Sequence, residues 1–165
     1  MISWRISKYN PLLRNINGYY LIDEWTSFSD IGREFSGKKF TYQNYLSIEN
    51  AYISVIELII QTININSLKI ENLEMTKGSK VETNCVPIYK TMHEGATIKR
   101  DGVNSLCRLI LREVLWCKLI NNGKIWIHFG YDYYMYIGTI LSAEDISEIV
   151  TSNGLFFERF KSPYL

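Results

Sequence analysis

Histidine, cysteine and proline are scarce in this chain, with two, three and three copies among 165 residues. So few histidines leave little from which to assemble a convergent catalytic set. Cys85, Cys107 and Cys117 are odd in number and lack CxxC spacing, so they form neither a disulfide framework nor a zinc-ligand pattern. They read as free, buried thiols of a reducing compartment. A charge excess is also missing: 18 Lys+Arg oppose 17 Asp+Glu, which removes the basic footprint of a dedicated nucleic-acid binder. No GxxxxGK[ST] or GxGxxG occurs, and Gly32 and Gly37 lack the spacing of a phosphate cradle. The richest apolar stretch, Ala51 to Ile65, is broken by Ser54, Glu57, Gln61, Thr62 and Asn64, so it falls short of the roughly 20 apolar residues that span a bilayer. The start, Met1-Ile2-Ser3-Trp4-Arg5, lacks the pattern of a secretory signal. A cytoplasmic protein is expected, with no metal, no cofactor and no membrane or nucleic-acid partner.

Apolar residues, by contrast, make up 47% of the chain and aromatics 14%, enough to bury one core, and the length suits a single domain over residues 1–165. Trp4 to Lys8 alternates as a first strand and stops at Asn10-Pro11, and Asn15 to Gly18 turns the chain. Tyr19 to Ile22 reads as a second extended piece, and Thr26, Ser27 or Ser29 as the cap of a brief helix through Phe35, ended by Gly37. Thr41 caps the strongest helix, 41–63, on which Tyr45, Ile48, Tyr52, Ile56 and Ile59 recur at three- and four-residue steps. Ser67 to Met75 alternates as a strand. Between 81 and 100, Pro87 permits a helix start and Gly95 its stop. Val103 to Ile110 is helical in spacing. Val114 to Ile120, Lys124 to Gly130 and Tyr133 to Ile140 form a three-stranded meander around the Asn122-Gly123 turn. Ser142 and Asp145 cap a helix that ends at Asn153-Gly154, and Leu155 to Phe160 is a last strand stopped by Ser162-Pro163. The fold class expected is α+β, a long central helix packed on a mainly antiparallel sheet.

Candidate chemistry is thin. His128 shares a strand face with Trp126, opposite Ile125, Ile127 and Phe129, and a structural role bonded to a neighbouring group is favoured over a catalytic one. Two aromatic and acidic mixtures stand out instead. Tyr131-Asp132-Tyr133-Tyr134-Met135-Tyr136 places Tyr133 and Met135 on one strand face and Tyr134 and Tyr136 on the other. Tyrosine offers large contact area at low entropy cost, so Tyr131, Asp132, Tyr134 and Tyr136 are candidate partner contacts. Asp23-Glu24-Trp25 is the second mixture, making Asp23 and Glu24 candidates too. Glu144, Asp145 and Glu148 give the penultimate helix an acidic side that suits a basic partner.

Trp4-Arg5-Ile6-Ser7-Lys8-Tyr9-Asn10-Pro11, Asp23-Glu24-Trp25-Thr26-Ser27-Phe28-Ser29-Asp30-Ile31-Gly32, Glu49-Asn50-Ala51-Tyr52-Ile53, Trp116-Cys117-Lys118-Leu119, the run His128 to Gly138, and Ser162-Pro163-Tyr164-Leu165 together resemble a family of small bacterial proteins of toxin–immunity loci. The resemblance covers nearly the whole chain. It implies a non-catalytic immunity protein that binds and neutralises a cognate toxin domain, a ribonuclease or other nuclease of a contact-dependent or polymorphic toxin system. Two other classes fit the residues. One is a small enzyme or ligand-binding domain using His128, Asp132 and Tyr136; the other is a structural homodimer joined across a strand edge.

Overall fold

In the computed structural model, which describes residues 1–163, Thr41 caps the longest helix, α1 (Tyr42–Thr62). The Thr41 hydroxyl accepts the Asn44 N–H and the Asn44 side chain accepts the Thr41 N–H, both at 3.2 Å, which satisfies donors that the first turn leaves open. Tyr45, Tyr52, Val55, Ile56, Ile59 and Ile60 are buried along one side of α1, as their spacing predicts. Ile48 lies only at the edge of that stripe, and Glu49 occupies its interior.

That stripe packs against a seven-stranded sheet built from β1 (Ile2–Ser7), β4 (Ser67–Met75), β5 (Thr97–Lys99), β6 (Leu115–Asn121), β7 (Ile125–Phe129), β8 (Met135–Thr139) and β9 (Phe156–Arg159). The order is β5-β4-β6-β7-β8-β1-β9, with every pairing antiparallel. The expected meander is β6-β7-β8, and Gly123 makes its first turn with φ +76°, a conformation that glycine adopts without a Cβ penalty. Register puts Ile6, Met135, Ile137, Ile127 and Leu119 on the inner face, under α1. Helices α2 (Val86–Lys90), α3 (Val103–Leu111) and α4 (Ala143–Ser152) complete the helical set, with α3 and α4 beside α1. The protein is α+β, and no helix among the described residues is long and apolar enough to cross a membrane.

Part of the outer face of the sheet, around β7, β8 and β1, is covered by the chain itself. Trp126, His128 and Tyr136 stack in a row there, with His128 at 5.4 Å from Trp126 and 5.3 Å from Tyr136. After β9 the chain turns over this row: Phe160 lies 6.0 Å from Tyr136 and beneath the Arg5 guanidinium, and Ser162 Oγ meets His128 Nε2 at 2.8 Å. This strap settles the place of His128, which is buried. Tyr164 and Leu165 lie outside the described residues, as does that part of the resemblance.

Three expectations give way. No helix runs from 26 to 35: a single 3-10 turn, Phe28–Asp30, is followed by a hairpin of β2 (Glu34–Phe35) and β3 (Lys38–Lys39). Asp30 accepts the N–H groups of Thr26 and Ser27 and holds Arg33, while Ser36 and Gly37 both take positive φ, the geometry of a two-residue hairpin turn. Tyr19 to Ile22 forms no strand, only an isolated bridge between Tyr20 and Arg14. The helix near Pro87 stops at Lys90, well before Gly95, and Thr97–Lys99 then adds an edge strand.

Candidate partner-binding surface

One end of the sheet is shaped by a residue in an unusual conformation. Tyr133, in the connection from β7 to β8, has φ +61°, which is costly for an aromatic residue unless its surroundings enforce it. They do. Its ring is buried among Trp25 at 4.9 Å, Tyr52 at 5.2 Å and Tyr45 at 6.0 Å. From α1, the Tyr52 hydroxyl donates to the Tyr133 carbonyl at 2.7 Å and accepts the Lys8 N–H at 2.9 Å. Gly130 N–H donates to the Tyr134 carbonyl at 2.7 Å and closes the loop. With Tyr133 turned inward, Asp132 is exposed and Tyr131 projects with 87% of its surface in water.

The N-terminal excursion comes to the same end. Asn10 caps the 3-10 turn Pro11–Leu13 through its bond from the Leu12 N–H. Asn15 Oδ1 then accepts the N–H groups of Asn17 and Tyr19 at 2.9 and 3.0 Å, and Leu21 N–H donates to the Leu13 carbonyl. Arg14 ties the loop to Glu158 of β9 at 2.7 Å. Tyr9 packs 4.9 Å from Tyr20 and 5.3 Å from Tyr134, setting the loop beside the Tyr131 turn. The backbone is thus pinned, yet its apolar side chains face water: Ile16 is 99% exposed, Leu12 87% and Tyr19 71%, with Leu21 also exposed. Sequence reasoning missed this group, because it placed Ile16 in a turn and Tyr19 and Leu21 in a strand. The available signal was the Asn15-Ile16-Asn17-Gly18 turn, in which a turn-forming frame carries apolar residues at its tip.

The two aromatic and acidic mixtures meet around Tyr9. Its hydroxyl donates to the Trp25 carbonyl, and burial, reinforced by the charges of Glu24 and Asp132, holds that hydroxyl well above the usual tyrosine range. Trp25 is buried and stacked on Phe40 at 4.4 Å, so it anchors Asp23 and Glu24 rather than facing a partner. Glu24 pairs with Lys8 at 2.7 Å, while burial draws the Lys8 ammonium down to about 8. Asp23 is exposed and Tyr134 half-buried. The remaining candidates are elsewhere. Tyr136 is only 5% exposed under the strap and offers no accessible ring. Glu144, Asp145 and Glu148 are on α4, which begins past the Thr139 end of β8, opposite to the end that carries Asp132. Asp145 is also engaged in the Ser142 capping box.

Below Tyr131 is a cavity of about 260 Å³ between the end of β4, the connection from α3 to β6, and the β7–β8 turn. Met75, Ile110, Leu115, Trp116, Phe129 and Tyr131 form its walls, and Glu74 and Glu113 also line it. Trp116 is fixed there by its Nε1–H bond to the Phe129 carbonyl at 2.7 Å. Glu113, at φ +62° after α3, has its carboxyl pushed above the ordinary range by burial and by Asp30.

Other titratable groups have structural surroundings. The His128 imidazole is lowered to about 4 by burial and by Lys118. Cys107 and Cys117 are fully buried, and burial pushes the Cys117 thiol up to about 12. Glu94 accepts the N–H groups of Asn72 and Leu73, at an irregularity in the pairing of β4 with β6. Among the described residues no three His, Cys, Asp or Glu side chains are grouped to hold a metal ion. Glu49 is buried in a network with Arg108, Arg112 and, through Arg112, Glu82; it fastens α1 to α3. Comparison with protein-family models, curated proteins and solved structures finds no match to this chain.

Proposed function

We propose that the chain is a binding protein of the toxin–immunity kind, which neutralises a cognate toxin domain by covering it with the end of the sheet where the loop 12–22 meets the Tyr131-Asp132 turn. One observation supports this above the rest: apolar side chains held almost wholly in water on a backbone fixed by the Asn15 turn and the Arg14 pair. Exposed apolar clusters mark interaction sites. A loop already ordered in the free protein loses little further entropy on association, so more of the contact energy appears as affinity. Asp23 and Asp132 supply acidic neighbours that speed encounter with a basic partner such as a nuclease.

The test is co-purification with the C-terminal domain of the protein encoded by the neighbouring gene, followed by titration calorimetry on variants. Ile16→Ser and Tyr131→Ala remove exposed side chains and leave the core untouched. Each is expected to weaken binding by roughly thirtyfold, the scale of an interface hot spot. Absence of a complex, or unchanged affinity in both variants, overturns the proposal.

A further inference from the structure

We infer that the cavity below Tyr131 is a socket for an arginine side chain projecting from the protein partner. This rests on the preceding assignment of that end of the sheet as the binding face and specifies what the partner must insert there. Size comes first. At about 260 Å³ the space lies below the range of roughly 300–1,000 Å³ typical of small-molecule and cofactor pockets, and it suits a group of side-chain dimensions.

Chemistry narrows the occupant. The walls are aromatic and aliphatic, with Trp116, Phe129 and Tyr131 around the space, while Glu74 and Glu113 bring two carboxylates and no Lys or Arg lines the cavity. A purely apolar group would leave those carboxylates unused, and an anion would be repelled by them. A cation with a long apolar stem satisfies both parts of the lining. The aromatic faces favour a guanidinium over an ammonium, because the planar group stacks while its edge donates to a carboxylate. The end of α3 adds to this: Ile110 and Leu111, its last residues, line the cavity, and a helix C-terminus carries partial negative charge. Since Tyr131 belongs to both the exposed turn and the cavity wall, an arginine entering here is covered by the same contact that buries the turn.

The experiment needs no partner. The probe is N-acetyl-arginine methylamide, titrated into the intact protein while the indole N–H signal of Trp116 is followed by NMR. A saturable shift is expected, with binding weakened about tenfold in the Glu74→Gln/Glu113→Gln variant, as for loss of a charge-assisted hydrogen bond. Far-ultraviolet circular dichroism verifies that the variant is folded. The norleucine analogue is expected to shift the signal far less. No saturation, an equal response to norleucine, or an unchanged affinity in the double variant overturns the inference. Tighter binding of spermidine than of the arginine derivative also overturns it, by assigning the socket to a free polyamine. If the socket fails while the toxin complex still depends on Ile16 and Tyr131, the binding face stands and its occupant is something other than arginine.

Discussion

Gly138→Ala tests how the outer face of the sheet is packed. Gly138 lies in β8 directly opposite Trp126 of β7, and its φ is not positive, so alanine meets no backbone strain there. The obstacle is the indole. A Cβ built on Gly138 would sit 2.1 Å from Trp126 Nε1 and 2.2 Å from Cε2, distances that no ordinary contact allows. The ring cannot slide away freely, because it stacks on His128 at 5.4 Å with 22° between planes. Overpacking of this kind costs about 1–3 kcal/mol, while replacing a strand glycine returns about 0.5–1 kcal/mol, for a net loss of up to about 2.5 kcal/mol. In a domain of this size the upper end lowers Tm by roughly 5–10 °C. Urea unfolding of the wild type, Gly138→Ala, Trp126→Ala and the double variant completes the cycle. With the indole gone, Gly138→Ala should be neutral or slightly stabilising. An equal cost in both backgrounds would show that Trp126 does not cover Gly138.

Glu49→Gln should destabilise the protein by about 3–5 kcal/mol in urea unfolding, because Glu49 is fully buried between Arg108 and Arg112 and its neutralisation leaves Arg108 without a carboxylate and Arg112 with Glu82 alone. A loss below about 1 kcal/mol would mean that water or Glu82 takes over the charge. For His128 the sign follows from its lowered folded value, about 4 against 6.5. Between those pH values the unfolded chain takes up a proton that the folded chain refuses, so stability falls as pH drops, by up to about 3 kcal/mol. His128→Phe should flatten that part of the pH–stability curve; an unchanged slope assigns it to other groups.

Where a residue's environment is set by its own periodic neighbours, the sequence was informative. The α1 stripe, the β6-β7-β8 meander and the caps at Thr41 and Ser142 all follow from short-range rules, and the structure contains each. The failures share a different cause. Asp30 gathers Thr26, Ser27 and Arg33 around one carboxylate, which halts a helix that local propensity allows. Glu49 lies within an apolar stripe only because Arg108 and Arg112, far along the chain and four residues apart, reach it. Tyr136 follows the strand alternation, but a strap from the chain's end covers it. Alternation tells which face a side chain takes and not what later covers that face.

The tyrosines show how the candidate surface depends on these long-range contacts. Tyr45 and Tyr52 are buried on α1, and their hydroxyls bond the carbonyls of Leu111 and Tyr133, the first ending α3 and the second lying in the β7–β8 turn. Tyr9, after β1, bonds the Trp25 carbonyl. Each such bond satisfies a carbonyl at a helix end or in a loop with a buried phenol, so each fixes that segment to the core at one point. Tyr131 and Tyr19 project into water beside these anchored segments. The shape of the Tyr131 turn is therefore set in part by the helix beneath it. Residues 130–134 hold one shape without a periodic pattern because Tyr52, far away in sequence on α1, bonds the Tyr133 carbonyl, whereas residues 12–22 are fixed by the Asn15 side chain, the Leu21–Leu13 backbone bond and the Arg14–Glu158 pair.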